Sequence, residues 1–340
     1  MNFSVPSLKK EHFPVMLEEV IQICNPTTNK DQLVIDCTFG GGGYSKALLK
    51  FPNLKVIALD RDKSAIKRAE LLKNKSTNQF KFYNERFSNL DRIIKQDNKP
   101  DIIIFDLGLS TFQLQDYSRG FSFNATEKID MQMGLSDISA EEVINTLDEK
   151  NLKLIIKILG EEQDANKIVK NIIKARQIKK IDTVNELVRI IETSKKKNYN
   201  KKINVCTKTF QALRIFVNKE TSELIEGLIK ATKFVKKGGK IIVISFHSIE
   251  DKIIKYYFTN YSSSRSNPSR YMPSQNNQKN SFFEKYKNNF LIPGEKEIIK
   301  NSASRSAKLR HATRTEQPFY HPKEFKDKFK NYLDIENVSI

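Results

Sequence analysis

A glycine-rich segment early in the chain has the composition of a nucleotide-binding loop. Gly40–Gly43 follows the apolar run Leu33–Asp36, and glycines at such a junction let the backbone approach a ligand and present N–H groups to it. Asp60 ends the next apolar run, where an acid can accept hydrogen bonds from both hydroxyls of a ribose. A lone glycine loop can be a simple tight turn. Its combination with Asp60 predicts a cofactor that contains a nucleoside.

The acid that precedes this loop bears on the identity of the cofactor. In a dinucleotide site the pyrophosphate lies at the helix N-terminus, where a neighbouring acid is unfavourable. Asp36 stands just before the loop, as expected if the ligand carries an ammonium group instead. The turn at Lys236–Lys240 also resembles the Pro-Gly-Gly turn of Rossmann-like methyltransferases. These features favour S-adenosylmethionine, and an NAD-linked oxidoreductase is the alternative.

Two polar residues after later apolar runs are candidates for catalysis. Asp106 ends the run Ile102–Asp106, and the carboxyl end of such a strand faces the ligand crevice of an open α/β sheet. His247 follows the run Ile241–Ser245 and could bind a base or accept a proton. The structural alternatives are a loop-capping Asp and a scaffold His. Position favours a functional Asp106 and leaves both roles open for His247.

The elements that would position these residues are short buried strands alternating with helices. Near-continuous Ile, Val and Leu runs are typical of strands covered on both faces of a parallel sheet. We therefore predict an α/β protein with a doubly wound, Rossmann-like sheet. The predicted strands are Leu33–Asp36, Val56–Asp60, Phe80–Asn84, Ile102–Asp106 and Ile241–Ser245, and the predicted helices include Tyr44–Lys50, Lys63–Asn74 and Phe210–Val235.

The alternation of strands and helices stops after the fourth strand. Capping boxes at Ser139 and Thr183 predict helices, and the apolar residues near them recur on one helical face. We expect residues 113–206 to form a helical domain inserted into a cofactor-binding domain of residues 1–112 and 207–325. Residues 262–289 are rich in Ser, Asn and Lys and are predicted to be a mobile loop. Residues 326–340 form a tail without a usable pattern.

Charge and cysteine content suggest the partner and the compartment. The formal net charge is +19, and Lys167–Lys202 carries twelve Lys and Arg against three acids. Such a segment favours a nucleic-acid partner, although a solvated lysine-rich surface explains it equally well. The three cysteines are far apart and indicate neither disulfides nor a metal site. Since no apolar run reaches membrane-spanning length, a cytoplasmic protein without membrane contact is expected.

Eight blocks, in order, resemble the bacterial 16S rRNA (cytosine-N4)-methyltransferases, the MraW family, over about residues 10 to 318. The blocks are His12–Leu17, Asp36–Gly43, Asp106–Ser110, Arg119–Phe123, Asp130-Met131, Thr209–Asn218, Ser245–Asp251 and Arg305–Arg310. Five positions depart from the usual family pattern, namely Gly41, Tyr44, Phe112, Gln132 and Ala303. These departures bear on the shape of the adenine pocket and on RNA affinity more than on the reaction.

The resemblance implies transfer of a methyl group from S-adenosylmethionine to the N4 amino group of a cytosine in the decoding centre, the P-site region, of 16S rRNA. The implied partner is 16S rRNA or the small ribosomal subunit, and a homodimer is left open. The resemblance places the cofactor contacts at Gly42, Gly43, Tyr44, Asp60, Phe87, Asp106 and Gln113. The catalytic candidates remain Asp106 and His247. A cofactor-bound RNA chaperone without catalysis is the third functional class considered.

Overall fold

The computed structural model describes residues 14–26, 30–76, 78–195, 204–263 and 281–340. Its centre is a six-stranded sheet in the order β3-β2-β1-β4-β5-β6, in which the first five strands are parallel and β6 is antiparallel to β5. This arrangement confirms the doubly wound α/β class and the five predicted strands. The strands are β1 Gln32–Asp36, β2 Leu54–Leu59, β3 Phe80–Tyr83, β4 Ile102–Asp106, β5 Lys240–Ser245 and β6 Lys308–Thr313.

Helices cover both faces of the sheet because its central strands are apolar on both sides. Ile35 and Ile103 belong to one buried cluster and Val34 and Ile104 to another, so alternate residues of β1 and β4 face opposite layers. The helices of the first half are α1 Leu17–Cys24, α2 Gly43–Leu48, α3 Ala65–Lys73 and α4 Leu90–Ile93. No helix in the described ranges is long and apolar enough to cross a membrane.

The chain between β4 and β5 is helical. Capping boxes at Ser139 and Thr183 begin two of these helices, as the sequence predicted. The helices are α5 Thr111–Gln115, α6 Ala140–Thr146, α7 Glu149–Leu159, α8 Ala165–Ile178, α9 Val184–Ser194, α10 Thr207–Asn218 and α11 Glu220–Phe234. The buried apolar residues of α6–α11 belong to the same cluster as one face of the sheet. This continuity fixes the helices against the sheet.

The predicted single helix Phe210–Val235 is wrong in one respect. Lys219 has a left-handed backbone (φ 50°) and separates α10 from α11. Residues on both sides of the break are buried, so the apolar pattern continues across it. The pattern alone therefore does not reveal the break between the two helices. The break allows α10 to pack on α7 while α11 packs on α4, on α12 (Ser248–Asn260) and on the turn after β3.

The described C-terminal part of the chain contains four helices and the sixth strand. Of the proposed mobile loop 262–289, residues 264–280 lie outside the described residues. Among the described residues of that segment, Phe282 and Phe283 are fully buried, and Phe283 bridges to Ser262 and Arg314. The last helices are α12 Ser248–Asn260, α13 Glu295–Lys300, α14 Lys323–Lys328 and α15 Lys330–Glu336. The strand β6 was not predicted.

Candidate active site

A cavity opens at the carboxyl ends of β1, β2 and β4, where ligands bind in sheets of this kind. Six of the eight predicted site residues line it: Gly43, Tyr44, Asp60, Phe87, Asp106 and Gln113. The other two, Gly42 and His247, do not. Other lining residues include Asp62, Glu220, Glu223 and Leu224, which the sequence analysis did not single out, and Glu250, which lies in the block Ser245–Asp251.

The glycine loop adopts a conformation that other residues would strain. Gly40 and Gly42 have φ values of +52° and +74°, in the left-handed region that favours glycine. A Cβ on Gly43 would lie 2.8–2.9 Å from three ring atoms of Pro14. Gly42 therefore shapes the loop at the start of α2, whereas Gly43 brings the backbone to the cavity wall.

Asp60 holds this loop in place as well as lining the cavity. Its Oδ2 accepts a hydrogen bond from the Gly40 N–H at 2.7 Å, and its Oδ1 accepts one from the Asp62 N–H at 2.8 Å. Burial raises the pKa of Asp60 to about 6, against the opposing effect of these hydrogen bonds. The carboxylate therefore connects the end of β2 to the loop after β1, at the position predicted for ribose recognition.

Asp36 favoured S-adenosylmethionine over NAD in the sequence analysis, and the structure places its side chain away from the cavity. It is fully buried and does not line the cavity. Its Oδ2 accepts from Ser45 Oγ at 2.6 Å, and its Oδ1 accepts from the Thr38 N–H at 3.3 Å. Asp36 therefore does not face the cavity in which an ammonium group would lie. The strand places its side chain beneath the loop, where it ties β1 to α2.

Asp106 presents an acceptor atom without a partner among the described residues. Its Oδ1 is buried and makes no hydrogen bond. The Tyr44 hydroxyl lies close to the carboxyl group and donates its hydrogen to the carbonyl of Val15. Burial, and then the charge of Asp36, raise the pKa of Asp106 well above its usual range. A buried acceptor of this kind is costly unless a ligand completes it.

Gln113 is anchored by a residue that the sequence analysis missed. Its Nε2 donates to Asp62 Oδ2 at 2.7 Å, and Arg119 Nη1 donates to the same oxygen at 2.6 Å. Burial alone would raise the pKa of Asp62, but these bonds and one from the Ser64 N–H hold it below its usual value. The spacing of Asp60 and Asp62 at the end of β2 was the available signal. An acid two residues past the ribose candidate can turn into the same cavity.

The departure at Phe112 has a visible structural effect. The guanidinium of Arg68 lies 4.4 Å from the centre of the Phe112 ring, within the range of a cation–π contact. Arg68 Nε also donates to the Gly40 carbonyl at 2.9 Å. The phenylalanine therefore helps to hold an arginine that braces the glycine loop.

Phe87 forms an aromatic wall of the cavity. Its ring meets Phe105 edge to face at a centroid distance of 5.2 Å and lies against Gly227 of α11, where a Cβ would come within 2.6 Å of the ring. The adjoining wall is the start of α11. There Glu223 accepts from Ser88 Oγ at 2.9 Å and from Arg86 Nη1 at 3.1 Å.

His247 caps a helix and does not reach the cavity. Its Nδ1 accepts from the Glu250 N–H at the start of α12 at 3.4 Å, and its Nε2 lies 3.1 Å from Glu250 Oε1. Glu220, His247 and Glu250 hold ligand-type atoms within 4.8 Å of one another. However, both oxygens of Glu220 accept from Arg214, at 2.8 and 2.7 Å. A cation there would have to displace that arginine, so we assign the cluster to charge balance.

Comparison with known proteins gives the family of the chain. Residues 9–315 match the model of the MraW methylase family. Ribosomal RNA small subunit methyltransferase H of Ehrlichia canis is 39% identical over 302 residues, which are 88% of this chain and 98% of that protein. The proteins of the same name from Rickettsia canadensis and Bartonella bacilliformis are 40% and 39% identical over 309 and 307 residues. They cover 90% of this chain in both cases, and 98% and 91% of their own lengths.

A solved methyltransferase from Streptococcus mutans in complex with SAH matches 88% of this chain and 97% of its own at 11% identity and a TM-score of 0.37, a likeness too weak to support any inference about the site. The assignment depends on the family match and on the close relatives. The chain belongs to the MraW methylase family and is an S-adenosylmethionine-dependent methyltransferase, as its sequence motifs predicted.

Proposed function

We propose that this protein methylates the N4 amino group of a cytosine in the decoding centre, the P-site region, of 16S rRNA in the small ribosomal subunit. The names of the relatives support an rRNA of the small subunit as the substrate. The observation that supports an amino nitrogen as the methylated atom is the unpartnered Oδ1 of Asp106 at the cavity wall. This oxygen can accept a hydrogen bond from an N–H group.

The cofactor would lie against the residues that line the cavity. Asp60 offers carboxylate oxygens to the ribose hydroxyls, Phe87 an aromatic surface for the adenine, and Gly43 a close approach of the backbone. Tyr44 and Gln113 shape the walls on either side. When bound, S-adenosylmethionine supplies a methyl group already activated on a sulfonium, so the protein contributes position and charge rather than activation.

Asp106 would act on the nucleophile. The lone pair of a cytosine amino group is delocalised into the ring, which makes its nitrogen a poor nucleophile. A hydrogen bond from one amino N–H to Asp106 Oδ1 would orient the nitrogen and increase its electron density. As the new N–C bond forms, the nitrogen must lose a proton. A carboxylate whose pKa is raised by burial is suited to accept that proton.

His247 has a positioning role in this proposal. It does not line the cavity, but Glu250 does, and His247 contacts Glu250 through both ring nitrogens. Although burial alone would raise it, His247 and Arg214 hold the pKa of Glu250 below its usual value. His247 therefore keeps a charged acid at the cavity wall instead of meeting the base itself.

The helices between β4 and β5 would hold the RNA, with residues 113–206 as the recognition domain. Lys170 and Lys174 are exposed on α8 and have no ion-pair partner among the described residues. Phosphate contacts from such side chains supply much of the affinity for RNA. A cavity of this kind also requires the target base to leave its stack.

The direct test is methylation of small subunits purified from cells that lack this enzyme, followed by mass spectrometry of the digested 16S rRNA. We expect one N4-methylated cytosine with the wild-type protein. Asp106→Asn should reduce the single-turnover rate at least about 100-fold while changing the Kd for S-adenosylhomocysteine less than threefold. A wild-type rate for Asp106→Asn would refute its role, and a methyl group at another atom would refute the substrate.

The RNA surface has a separate test with a matched control. Lys170→Glu/Lys174→Glu is compared with Lys67→Glu/Lys73→Glu, in which two exposed lysines of α3 change by the same charge. Each lost phosphate contact should reduce the slope of log K against log salt by about 1. We expect the slope of log K against log salt to fall by about 2 in the α8 variant and to stay unchanged in the α3 variant. Equal slopes for both variants would contradict the assignment of α8.

A further inference from the structure

The C-terminal helices lie beyond the residues that the family model matches, which end at 315. They nevertheless join the core of the protein. Phe325, Phe329 and Ile335 are buried in the main apolar cluster, and α15 packs on α7, α10 and α11. The tail therefore contacts both the helices that follow β4 and the helix that walls the cavity.

The helix α11 has no cap of its own at its N-terminus. The residue before it, Lys219, is left-handed and makes no capping hydrogen bond with its side chain. Instead, Glu336 at the end of α15 accepts hydrogen bonds from the N–H groups of Thr221 and Ser222, each at 2.8 Å. Both N–H groups belong to the first turn and have no partner within the helix. Glu336, which is 1% exposed and lies near the C-terminal end of the sequence, thus caps the N-terminus of α11.

The turn that Glu336 caps is also part of the cavity wall. Glu220, Glu223 and Leu224 line the cavity, and they flank Thr221 and Ser222 in sequence. One turn further along α11, Gly227 supports the ring of Phe87. The position of α11 therefore determines where the acidic side chains Glu220 and Glu223 lie in the cavity wall. It also determines how far the ring of Phe87 extends into the cavity.

We propose that Glu336 is a positioning residue for the cofactor cavity, which it shapes by capping the first turn of α11 from the C-terminal helix. If that cap is lost, the first turn frays, and Glu220 and Glu223 leave their places at the wall. The carboxylate also lies where the helix dipole favours negative charge. The proposal rests on the cofactor role of the cavity.

The test compares the stability of variants with their affinity for S-adenosylhomocysteine, measured by titration calorimetry on the full-length protein. Glu336→Ala removes both acceptor oxygens, whereas Glu336→Gln keeps one. Ile335→Ala is the matched control, because it truncates a buried side chain of the same helix, 5% exposed, without touching the cap. All are measured at a temperature at which circular dichroism shows each variant to be folded.

We expect Glu336→Ala to weaken binding about 5- to 10-fold, as the typical effect of a lost cap implies. Glu336→Gln should recover to within about 3-fold of wild type, and Ile335→Ala should lower Tm but leave Kd within about 2-fold. Equal Kd values for Glu336→Ala and Ile335→Ala would overturn the proposal. If Glu336→Ala does not fold, Glu336→Met, which keeps the volume and lacks both oxygens, replaces it under the same expectations. Failure of the wild-type protein to bind would count against the cofactor site itself.

Discussion

Because Gly227 lies against the ring of Phe87, adding one methyl group at Gly227 should displace that ring, which forms the aromatic wall of the cavity. In Gly227→Ala the new Cβ would lie 2.6 and 2.9 Å from two atoms of the Phe87 ring. Carbon atoms in ordinary contact are about 3.6 Å apart, so the ring must move by about 1 Å. Phe105 is buried behind it, and we expect the ring to move away from α11, towards the cavity.

Gly227→Ala should have a small effect on the free energy of unfolding and a clear effect on cofactor affinity. Overpacking typically costs about 1–3 kcal/mol, but replacing a glycine within a helix by alanine returns about 1 kcal/mol. The free energy of unfolding should therefore fall by about 0–2 kcal/mol. If the ring packs on the adenine, the lost aromatic contact is worth about 1 kcal/mol, which corresponds to about a fivefold to tenfold increase in the Kd for S-adenosylhomocysteine.

Urea denaturation measures the first quantity and titration calorimetry the second. Gly294→Ala is the control, because nothing lies within 4 Å of its Cβ position and its φ of −70° suits alanine. Phe87→Leu combined with Gly227→Ala should relieve the clash, so the two changes should not be additive. An unchanged Kd for Gly227→Ala in a folded protein would refute the role of Phe87 in the cofactor site.

Three other sites give predictions of the same kind. Because burial raises the pKa of Asp60 to about 6, its carboxylate protonates as the pH falls below 6. Calorimetry between pH 5 and 8 should show cofactor affinity falling at the acid end in the wild type, whereas Asp60→Asn should bind weakly with little change over that range. Lys195→Ala leaves Glu162, whose side chain is 4% exposed, without its partner. Urea denaturation should show a loss of about 3–5 kcal/mol, partly recovered by adding Glu162→Ala. Gly43→Ala would place a Cβ 2.8 Å from the rigid ring of Pro14 and should raise the Kd for S-adenosylhomocysteine more than about tenfold.

Local patterns were sufficient to predict the parallel strands and the acids Asp60 and Asp106 of the cavity, whereas Tyr44, Phe87 and Gln113 came from the resemblance to the family. The runs that end at Asp60 and Asp106 are apolar on both faces, and parallel strands of this kind carry their ligands at the carboxyl end. The positions of these acids therefore follow from the strands. The strand β6 has a mixed sequence, Lys308–Thr313. Its partner β5 determines its structure, which no local pattern indicates.

Side-chain direction and long-range contacts escaped prediction for a physical reason. Asp36 and Asp60 both follow apolar strands, yet one points beneath the loop to Ser45 and the other lines the cavity. Asp36 is the last residue of β1 and lies level with Ala58 of β2, whereas Asp60 lies two residues further along, past the end of its strand. The cap by Glu336 joins positions from two distant parts of the chain, and a sequence carries no sign of such a pair.

The lysine-rich segment shows the same limit. Lys195 belongs to the segment Lys167–Lys202, whose charge favoured a nucleic-acid partner, and the part of that segment from Lys196 onwards lies outside the described residues. Lys195 is not a free surface charge, because its side chain is 12% exposed and pairs with Glu162. Counting charges along a sequence does not distinguish a buried ion pair from a solvated side chain.

The order of strands has a consequence for synthesis. The central strand β4 pairs with β5 residue for residue, Ile104 with Ile242 for example, and all the helices α5–α11 are translated between them. While these helices emerge from the ribosome, one side of β4 has no partner. An apolar strand edge of this kind is prone to association with other chains. Closure of the cofactor cavity must wait for α11 and β5. The nascent protein therefore passes through a long interval in which it has four of its six strands and depends on its early helices for solubility.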